Sequence, residues 1–167
     1  LYSMYLLNNH DLDIEGIPKD FFQTIHSTAK GIGIKKIAII GGLVRDLIIS
    51  KMNQEKINKV FDIDLIIEGS SSKLAKAIQE NLGKERVNII KNNLNYNTVE
   101  ITLDGVKIDI ASARQEKYIS PGENPIIIES DFESDISRRD FNINTIAIDL
   151  SSNQIIDLYD GIKSISI

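Results

Sequence analysis

Short apolar runs alternate with helix-length segments along most of this 167-residue chain. Isoleucine- and valine-rich runs of about four to eight residues are typical of buried strands, and apolar residues that recur every three or four positions indicate helices. The order of strand, helix, strand, helix, hairpin, helix and strand predicts an α/β (α+β) fold, with a mixed β-sheet flanked by helices. The predicted strands are 36–40, 60–67, 87–90, 98–103, 106–110 and 155–158, and the predicted helices are 18–30, 43–52 and 70–82.

Turn signals separate these elements. Asp104-Gly105, between two apolar runs, predicts a tight β-hairpin. Gly83 is expected to end the third helix, as glycine commonly does. Residues 117–137 are acidic and interrupted by proline and glycine, so a long mobile loop is expected there.

Composition excludes several classes of site. The chain has no cysteine, which rules out disulfides, thiolate zinc sites and a cysteine nucleophile. Its two histidines, His10 and His26, are too few to build a histidine metal site. The net charge of -5 repels nucleic acid, so local basic groups or further parts of the protein would have to attract a polynucleotide. No apolar run approaches the roughly 20 residues that span a bilayer, and a cytoplasmic location without membrane contact is expected.

Two aspartates interrupt the apolar run "KVFDIDLIIEG" at 59–69. Aspartate is depleted in strands because burying it without a partner is costly. Residues i and i+2 of a strand project from the same face, roughly 6.6 Å apart, so Asp62 and Asp64 point the same way. Two such carboxylates can converge on a hard cation such as Mg²⁺. The alternative is a solvated pair on an exposed sheet face.

A third carboxylate, Asp109, lies on another predicted strand in "VKIDIASAR". If the two strands are adjacent, three carboxylates share one patch and repel each other unless a cation neutralises them. The alternative is an exposed residue paired with a lysine or arginine.

The stretch "IIGGLVRD" at 39–46 combines a buried strand, two glycines and the start of a helix. Glycine lets the backbone approach a ligand, and a helix N-terminus offers free N–H donors to phosphate. Gly41, Gly42 and Arg45 are therefore candidates for a phosphate cradle, with the arginine one turn into the helix. The pattern lacks the fingerprints of dinucleotide and P-loop sites, and a plain tight turn is the alternative.

The stretch "RRDFNINTIAI" at 138–148 begins with two arginines beside an aspartate. Arg138 and Arg139 are either a solvated pair or a clamp for a triphosphate. Asn144 lies within an apolar segment and should hydrogen-bond to a definite partner. A loop anchor and a nucleotide contact are both compatible with this pattern.

Taken in order, these stretches resemble the catalytic head of the class II tRNA nucleotidyltransferase and bacterial poly(A) polymerase family, which includes bacterial CCA-adding enzymes. The resemblance covers about 37–165 and implies a DNA polymerase β-like nucleotidyltransferase fold. Its boundaries would be a lead-in and helix at 1–35, the head at 36–160, and the start of a neck at 161–167. The stretches that carry it are GGLVRD, DID, IDIASARQEKY, RRDFNINTIAI and IIDLYDG.

The resemblance also implies roles for individual residues. Asp62 and Asp64 would hold Mg²⁺, and Asp109 would be a third catalytic carboxylate. The residues that would bind the nucleoside triphosphate are Gly41, Gly42, Arg45, Arg139, Asp140 and Asn144.

The activity implied by the resemblance is the addition of CMP and/or AMP from CTP or ATP to the 3′ end of tRNA, with release of pyrophosphate. The tRNA would be held mainly by neck, body and tail regions outside this chain, and the base-selecting motif would also lie downstream. The "IDIASAR" stretch looks closest to relatives that divide CC- and A-addition between two enzymes. The alternatives are a poly(A) polymerase, a non-catalytic nucleotide-binding module with the same fold, and an unrelated metal-dependent phosphoester hydrolase.

Overall fold

A mixed β-sheet with helices packed on one face organises the chain. The computed structural model describes residues 12, 14–55, 57, 62–117, 120–122, 126–129, 131 and 146–157. In these residues the helices and strands are α1 (Phe21–Gly31), β1 (Ile37–Ile40), α2 (Gly42–Asn53), β2 (Asp62–Ile67), α3 (Ser71–Leu82), β3 (Val87–Asn93), β4 (Thr98–Leu103), β5 (Val106–Ser112), β6 (Arg114–Lys117), β7 (Ile126–Glu129), β8 (Ile146–Asp149) and β9 (Ile155–Asp157).

Seven of the described strands form one sheet in the order β3-β4-β5-β2-β1-β8-β9. Strand β2 runs parallel to β5 and antiparallel to β1, so the sheet is mixed. This arrangement confirms the predicted α+β class. The helix predicted between the hairpin and the last strand is not found among the described residues, where β6, β7 and β8 lie instead. The parallel pairing is possible because α3 and the β3–β4 hairpin make the long crossover that two parallel strands require.

The two faces of the sheet differ in chemistry because strand side chains alternate with period 2. Ile63, Leu65 and Ile67 of β2 belong to the main core, which also contains the apolar sides of α1, α2 and α3. The alternate residues of β2 project from the opposite face, where Ile66 joins a smaller apolar cluster with Ala38, Ile40, Ala113 and Ala147. Asp62 and Asp64, which precede Ile66 in β2, lie on this second face as well.

The helices begin and end close to where their sequence signals predict. The apolar stripe of α1 is buried as expected, with Phe21 and Ile25 among its members. Ser70 caps α3, since its hydroxyl accepts a hydrogen bond from Lys73 N at 3.2 Å, and Gly83 ends the helix. Asp104-Gly105 forms the predicted hairpin turn between β4 and β5. Within the described ranges, no helix is long and apolar enough to cross a membrane.

The prediction of a loop over 117–137 is wrong for the central part of that range. Residues Ile126–Glu129 form β7, which pairs antiparallel with β6 as a separate two-stranded sheet. Three consecutive isoleucines at 126–128 supply the strand propensity, and the prediction gave more weight to the preceding proline and glycine.

Candidate active site

The parallel pairing of β2 with β5 brings the candidate carboxylates onto one face. Asp64 lies directly beside Asp109, and Asp62 lies beside Lys107. Adjacent strands are about 4.8 Å apart, and residues opposite each other project from the same side. Asp62, Asp64 and Asp109 therefore share the sheet face that the three helices leave uncovered, with Asp62 exposed and the other two half-buried.

The donor set on this face suits a hard divalent cation. In the part of the chain that the structure describes, no three histidine, aspartate or glutamate side chains converge as a complete metal-binding group. Mg²⁺ does not need one, because it commonly takes one or two carboxylates together with waters and substrate phosphates. Asp62 and Asp64, two residues apart on β2, provide a pair of that kind.

Gly41 brings the backbone against this carboxylate pair. It is the N-cap of α2, with φ of 79° and ψ of -152°. Its neighbour Ile40 is opposite Asp64 in the β1–β2 register. A Cβ atom built on Gly41 would lie 2.7 Å from Asp64 Oδ2, so a side chain there would push the carboxylate aside, and the positive φ independently favours glycine. The N-terminus of α2, whose first N–H groups have no partner within the helix, thus begins next to Asp64.

Arg45 lies one turn into α2, on its exposed side. Its Nε donates to Asp46 Oδ1 at 3.1 Å, and both side chains are about half exposed. Its Nη2 is 3.7 Å from the position that a Cβ on Gly42 would occupy. The guanidinium therefore folds back over the glycine turn, where its donors can reach an anion at the helix N-terminus.

Two charged residues that sequence reasoning missed complete the face. Lys107 Nζ lies 3.3 Å from Glu100 Oε1, and Glu100 on β4 is opposite Asp109 on β5. The hydrogen bond to Glu100 and the nearby carboxylates of Asp109 and Asp62 raise the pKa of Lys107. The signal for Lys107 was its position two residues from Asp109, which puts both on one face of the strand. The signal for Glu100 was the two-residue turn at Asp104-Gly105, which sets the pairing of β4 with β5.

Partial burial is the main cause that raises the pKa of Asp109 above its ordinary value. Lys107 acts in the opposite direction, and the negative charges of Glu100 and Asp62 add to the upward shift. Among the described residues, the acidic side chains of Asp62, Asp64, Asp109 and Glu100 therefore outnumber Lys107 on this face, which favours cation binding.

The RRD stretch at 138–140 is not among the residues that the structure describes. Arg139, Asp140 and Asn144, together with Arg138, fall outside the described residues. Their predicted contacts with nucleotide stay predictions.

The sequence pattern of the family described as "Poly A polymerase head domain" matches residues 37–166. The chain belongs to this family. The match starts with β1 and extends through the glycine turn, the aspartate pair and Asp109, so it contains every strand of the poly A polymerase head domain described above. Nucleotidyltransferases of this family generally use divalent metal ions.

Individual relatives of this head domain are named as tRNA nucleotidyltransferases or CCA-adding enzymes. The A-adding tRNA nucleotidyltransferase of Geobacter sulfurreducens is 34% identical over 122 residues, which are 72% of this chain and 13% of the relative. A solved CCA-adding enzyme in an apo form has a TM-score of 0.69 and 28% identity, over 88% of this chain and 33% of its own. A solved tRNA nucleotidyltransferase in complex with a primer tRNA and an incoming ATP analogue has a TM-score of 0.64 and 25% identity, over 85% of this chain and 36% of its own. The chain thus has the nucleotidyltransferase fold and spans a minor part of each of these relatives.

Proposed function

We propose that this chain is the catalytic head of an RNA 3′-end nucleotidyltransferase. It would add CMP and/or AMP from CTP or ATP to the 3′ end of tRNA and release pyrophosphate. The observation that supports this proposal most is the position of the Gly41 turn directly against Asp64, with Asp109 on the neighbouring strand. A phosphate cradle and a carboxylate group placed together are what nucleotidyl transfer requires.

In this proposal the glycine turn and Arg45 bind the triphosphate. The N–H groups at the start of α2 face the anion, and the Arg45 guanidinium supplies a planar pair of donors. Asp62 and Asp64 hold Mg²⁺. When bound, the metal lowers the pKa of the attacking 3′-hydroxyl and offsets the negative charge of the departing pyrophosphate. Asp109 adds a third carboxylate beside Asp64.

Other parts of the proposal concern regions beyond the described face. Arg139, Asp140 and Asn144 would contact the nucleotide. Residues 1–35 would form a lead-in with a helix packed on the head, 36–160 the head itself, and 161–167 the start of a neck. The tRNA would be bound mainly by neck, body and tail regions, and the protein would act in the cytoplasm.

The base that is added distinguishes the versions of this function. Relatives named as A-adding and CC-adding enzymes both match the chain, at 34% and 26% identity respectively. A poly(A) polymerase would use the same head, and a non-catalytic nucleotide-binding module would bind triphosphate without transferring it.

The test is nucleotide addition by the complete protein. It would be incubated with Mg²⁺, labelled CTP or ATP, and tRNAs ending before, within and after the CC sequence. We expect extension of at least one tRNA by one to three nucleotides. A long A tail on unrelated RNA would favour the poly(A) alternative, and triphosphate binding without extension would favour the non-catalytic one.

Asp64→Asn is the decisive variant. We expect a fall of at least about 10³-fold in rate, because metal-dependent stabilisation of the transition state amounts to several kcal/mol. Asp104→Asn, the same substitution in the β4–β5 turn, is the matched control and should retain activity. Full activity of a folded Asp64→Asn protein would rule out the metal assignment.

A further inference from the structure

Lys107 and Glu100 form an ion pair at the border of the carboxylate face. Lys107 is the second residue of β5 and is opposite Asp62 on one side and Thr102 on the other. Its Nζ lies 3.3 Å from Oε1 of Glu100, which is two residues from Thr102 on β4. The ammonium is thus drawn toward the β4 side of β5, whereas the Asp62–Asp64 pair is on the β2 side.

The charged residues on this face form two rows, and the proposed chemistry does not by itself require the lysine or the glutamate among them. One row across three strands contains Glu100, Asp109 and Asp64, which are all acidic. The next row contains Lys107 beside Asp62. Both members of the ion pair remain partly accessible, with 41% of the Lys107 side chain and 29% of the Glu100 side chain exposed. Their fields therefore act on the face through partly hydrated surroundings rather than through a dry core.

We propose that Lys107 and Glu100 set the divalent-cation affinity of the Asp62–Asp64 pair through their charges, without contacting the cation or the substrate. Lys107 offsets part of the carboxylate repulsion and opposes an incoming dication. Glu100 keeps the ammonium on the β4 side and adds negative charge. The inference depends on the proposed function, because it takes the Asp62–Asp64 pair as the cation site.

This mechanism predicts effects of opposite sign for the two residues. Lys107→Gln removes a positive charge beside Asp62, so a cation should bind more tightly. Glu100→Gln removes a negative charge and releases the ammonium toward Asp62 and Asp109, so a cation should bind more weakly. A purely structural role would act differently, because breaking one ion pair from either side would disturb the face in the same direction.

The experiment measures Mn²⁺ binding to the 167-residue chain by electron paramagnetic resonance of free Mn²⁺. Carboxylate and water ligands suit Mn²⁺ as they do Mg²⁺. For unit charges one or two strands away in partly screened surroundings, we expect the Mn²⁺ Kd to fall about three- to tenfold in Lys107→Gln and to rise by a similar factor in Glu100→Gln. The double variant should return close to the wild-type Kd, and thermal unfolding checks that each variant is folded.

The ion pair of Lys36 with Glu68 provides matched controls. Lys36 Nζ lies 3.7 Å from Glu68 Oε1 at the opposite end of the β1–β2 pair. That end is four residues along the strand from Asp64, roughly 13 Å at the usual rise per residue and beyond the screening length of about 10 Å at 0.1 M salt. Lys36→Gln and Glu68→Gln change the net charge identically and should leave the Mn²⁺ Kd unchanged.

Three results would overturn the inference while the proposed function stands. These are an unchanged Mn²⁺ Kd in both Lys107→Gln and Glu100→Gln, shifts of the same sign in both, and a loss of triphosphate affinity in Lys107→Gln without tighter Mn²⁺ binding. In each case Asp64→Asn would still abolish Mn²⁺ binding. Mn²⁺ binding that does not depend on Asp64 in any variant would instead overturn the proposed metal site and this inference together.

Discussion

The space above the Cα atom of Gly41 is occupied by the carboxylate of Asp64. A side chain at residue 41 would place its Cβ 2.7 Å from Asp64 Oδ2, closer than real Cβ contacts come. The backbone of Gly41 is also left-handed, with φ of 79°. The glycine turn and Asp64 therefore lie directly against each other, and a side chain at residue 41 would displace the carboxylate.

Gly41→Ala should damage both the fold and the site. The left-handed backbone alone costs of order 1–3 kcal/mol for a residue with a side chain. The contact with Asp64 adds to this, and it displaces a proposed metal ligand. We expect a lower free energy of unfolding in urea and a weaker Mn²⁺ affinity in titration.

Gly105→Ala separates the two causes. Gly105 has a similar φ of 82°, and a Cβ there would meet nothing within 4 Å. It should lose stability from backbone strain and keep the wild-type Mn²⁺ affinity. If Gly41→Ala also keeps that affinity, the close approach to Asp64 has no functional consequence.

Local patterns in the sequence predicted much of this site. Period-2 alternation placed Asp62 and Asp64 on one face, and the position of two glycines between a strand and a helix predicted the turn. These inferences succeed because they depend on residues next to each other in the chain. The structure agrees on both points, with Gly41 as the N-cap of α2.

Strand neighbours could not be predicted in the same way. That Asp109 is beside Asp64 depends on which strands pair and in which register. Those two residues are 45 positions apart in the chain, and their pairing is decided by tertiary packing. Lys107 and Glu100, by contrast, were within reach of local reasoning. Lys107 is two residues from Asp109 on the same strand, and the two-residue turn at Asp104-Gly105 sets Glu100 opposite Asp109.

Arg45→Lys should weaken triphosphate binding. Arg45 lies over the glycine turn, and its planar fork can donate two parallel hydrogen bonds to phosphate, which an ammonium cannot. We expect a loss of about tenfold in affinity, equivalent to about 1.4 kcal/mol. Isothermal titration calorimetry with a non-hydrolysable ATP or CTP analogue and Mg²⁺ measures it.

Arg86→Lys is the control for that substitution. Arg86 is half exposed and donates to both carboxylate oxygens of Asp104 at 2.9 and 2.8 Å, away from the glycine turn. Its replacement should leave analogue binding unchanged. Equal losses of affinity in both variants would indicate a general effect of replacing arginine rather than a phosphate contact by Arg45.

Ser112→Ala should lower stability through one buried hydrogen bond. Ser112 Oγ accepts from Ser71 N at 2.9 Å, and both residues are almost fully buried. Without the hydroxyl, an N–H in the first turn of α3 has lost its partner, at a cost of about 1–3 kcal/mol. Ser72→Ala removes only the exposed bond from Asn92 Nδ2 and should cost about 0.5 kcal/mol or less. Urea unfolding that gives equal losses for both would contradict this account.

Asp109→Asn should stabilise the protein at neutral pH. The pKa of Asp109 is raised above its ordinary value of 3.8, chiefly by burial, so the folded state holds this proton more tightly than the unfolded state does. The stability that follows is fully present below pH 3.8 and is lost as the pH rises through the higher, folded pKa. Asparagine has no charge to desolvate, so the variant should gain on wild type over that window and keep the gain at pH 7.

Asp104→Asn should show the opposite pH dependence under the same conditions. The hydrogen bond from Arg86 lowers the pKa of Asp104, so its contribution to stability is present above pH 3.8 and is lost as the pH falls through the lower, folded pKa. Asparagine also tolerates the left-handed φ of 51° at this turn, which leaves the charge as the main difference. Urea unfolding from pH 3 to pH 7 should therefore show the two variants diverging as pH rises, with Asp109→Asn above wild type and Asp104→Asn below it. If Asp109→Asn instead fell below wild type at pH 7, the carboxylate would be held by favourable contacts that outweigh its burial.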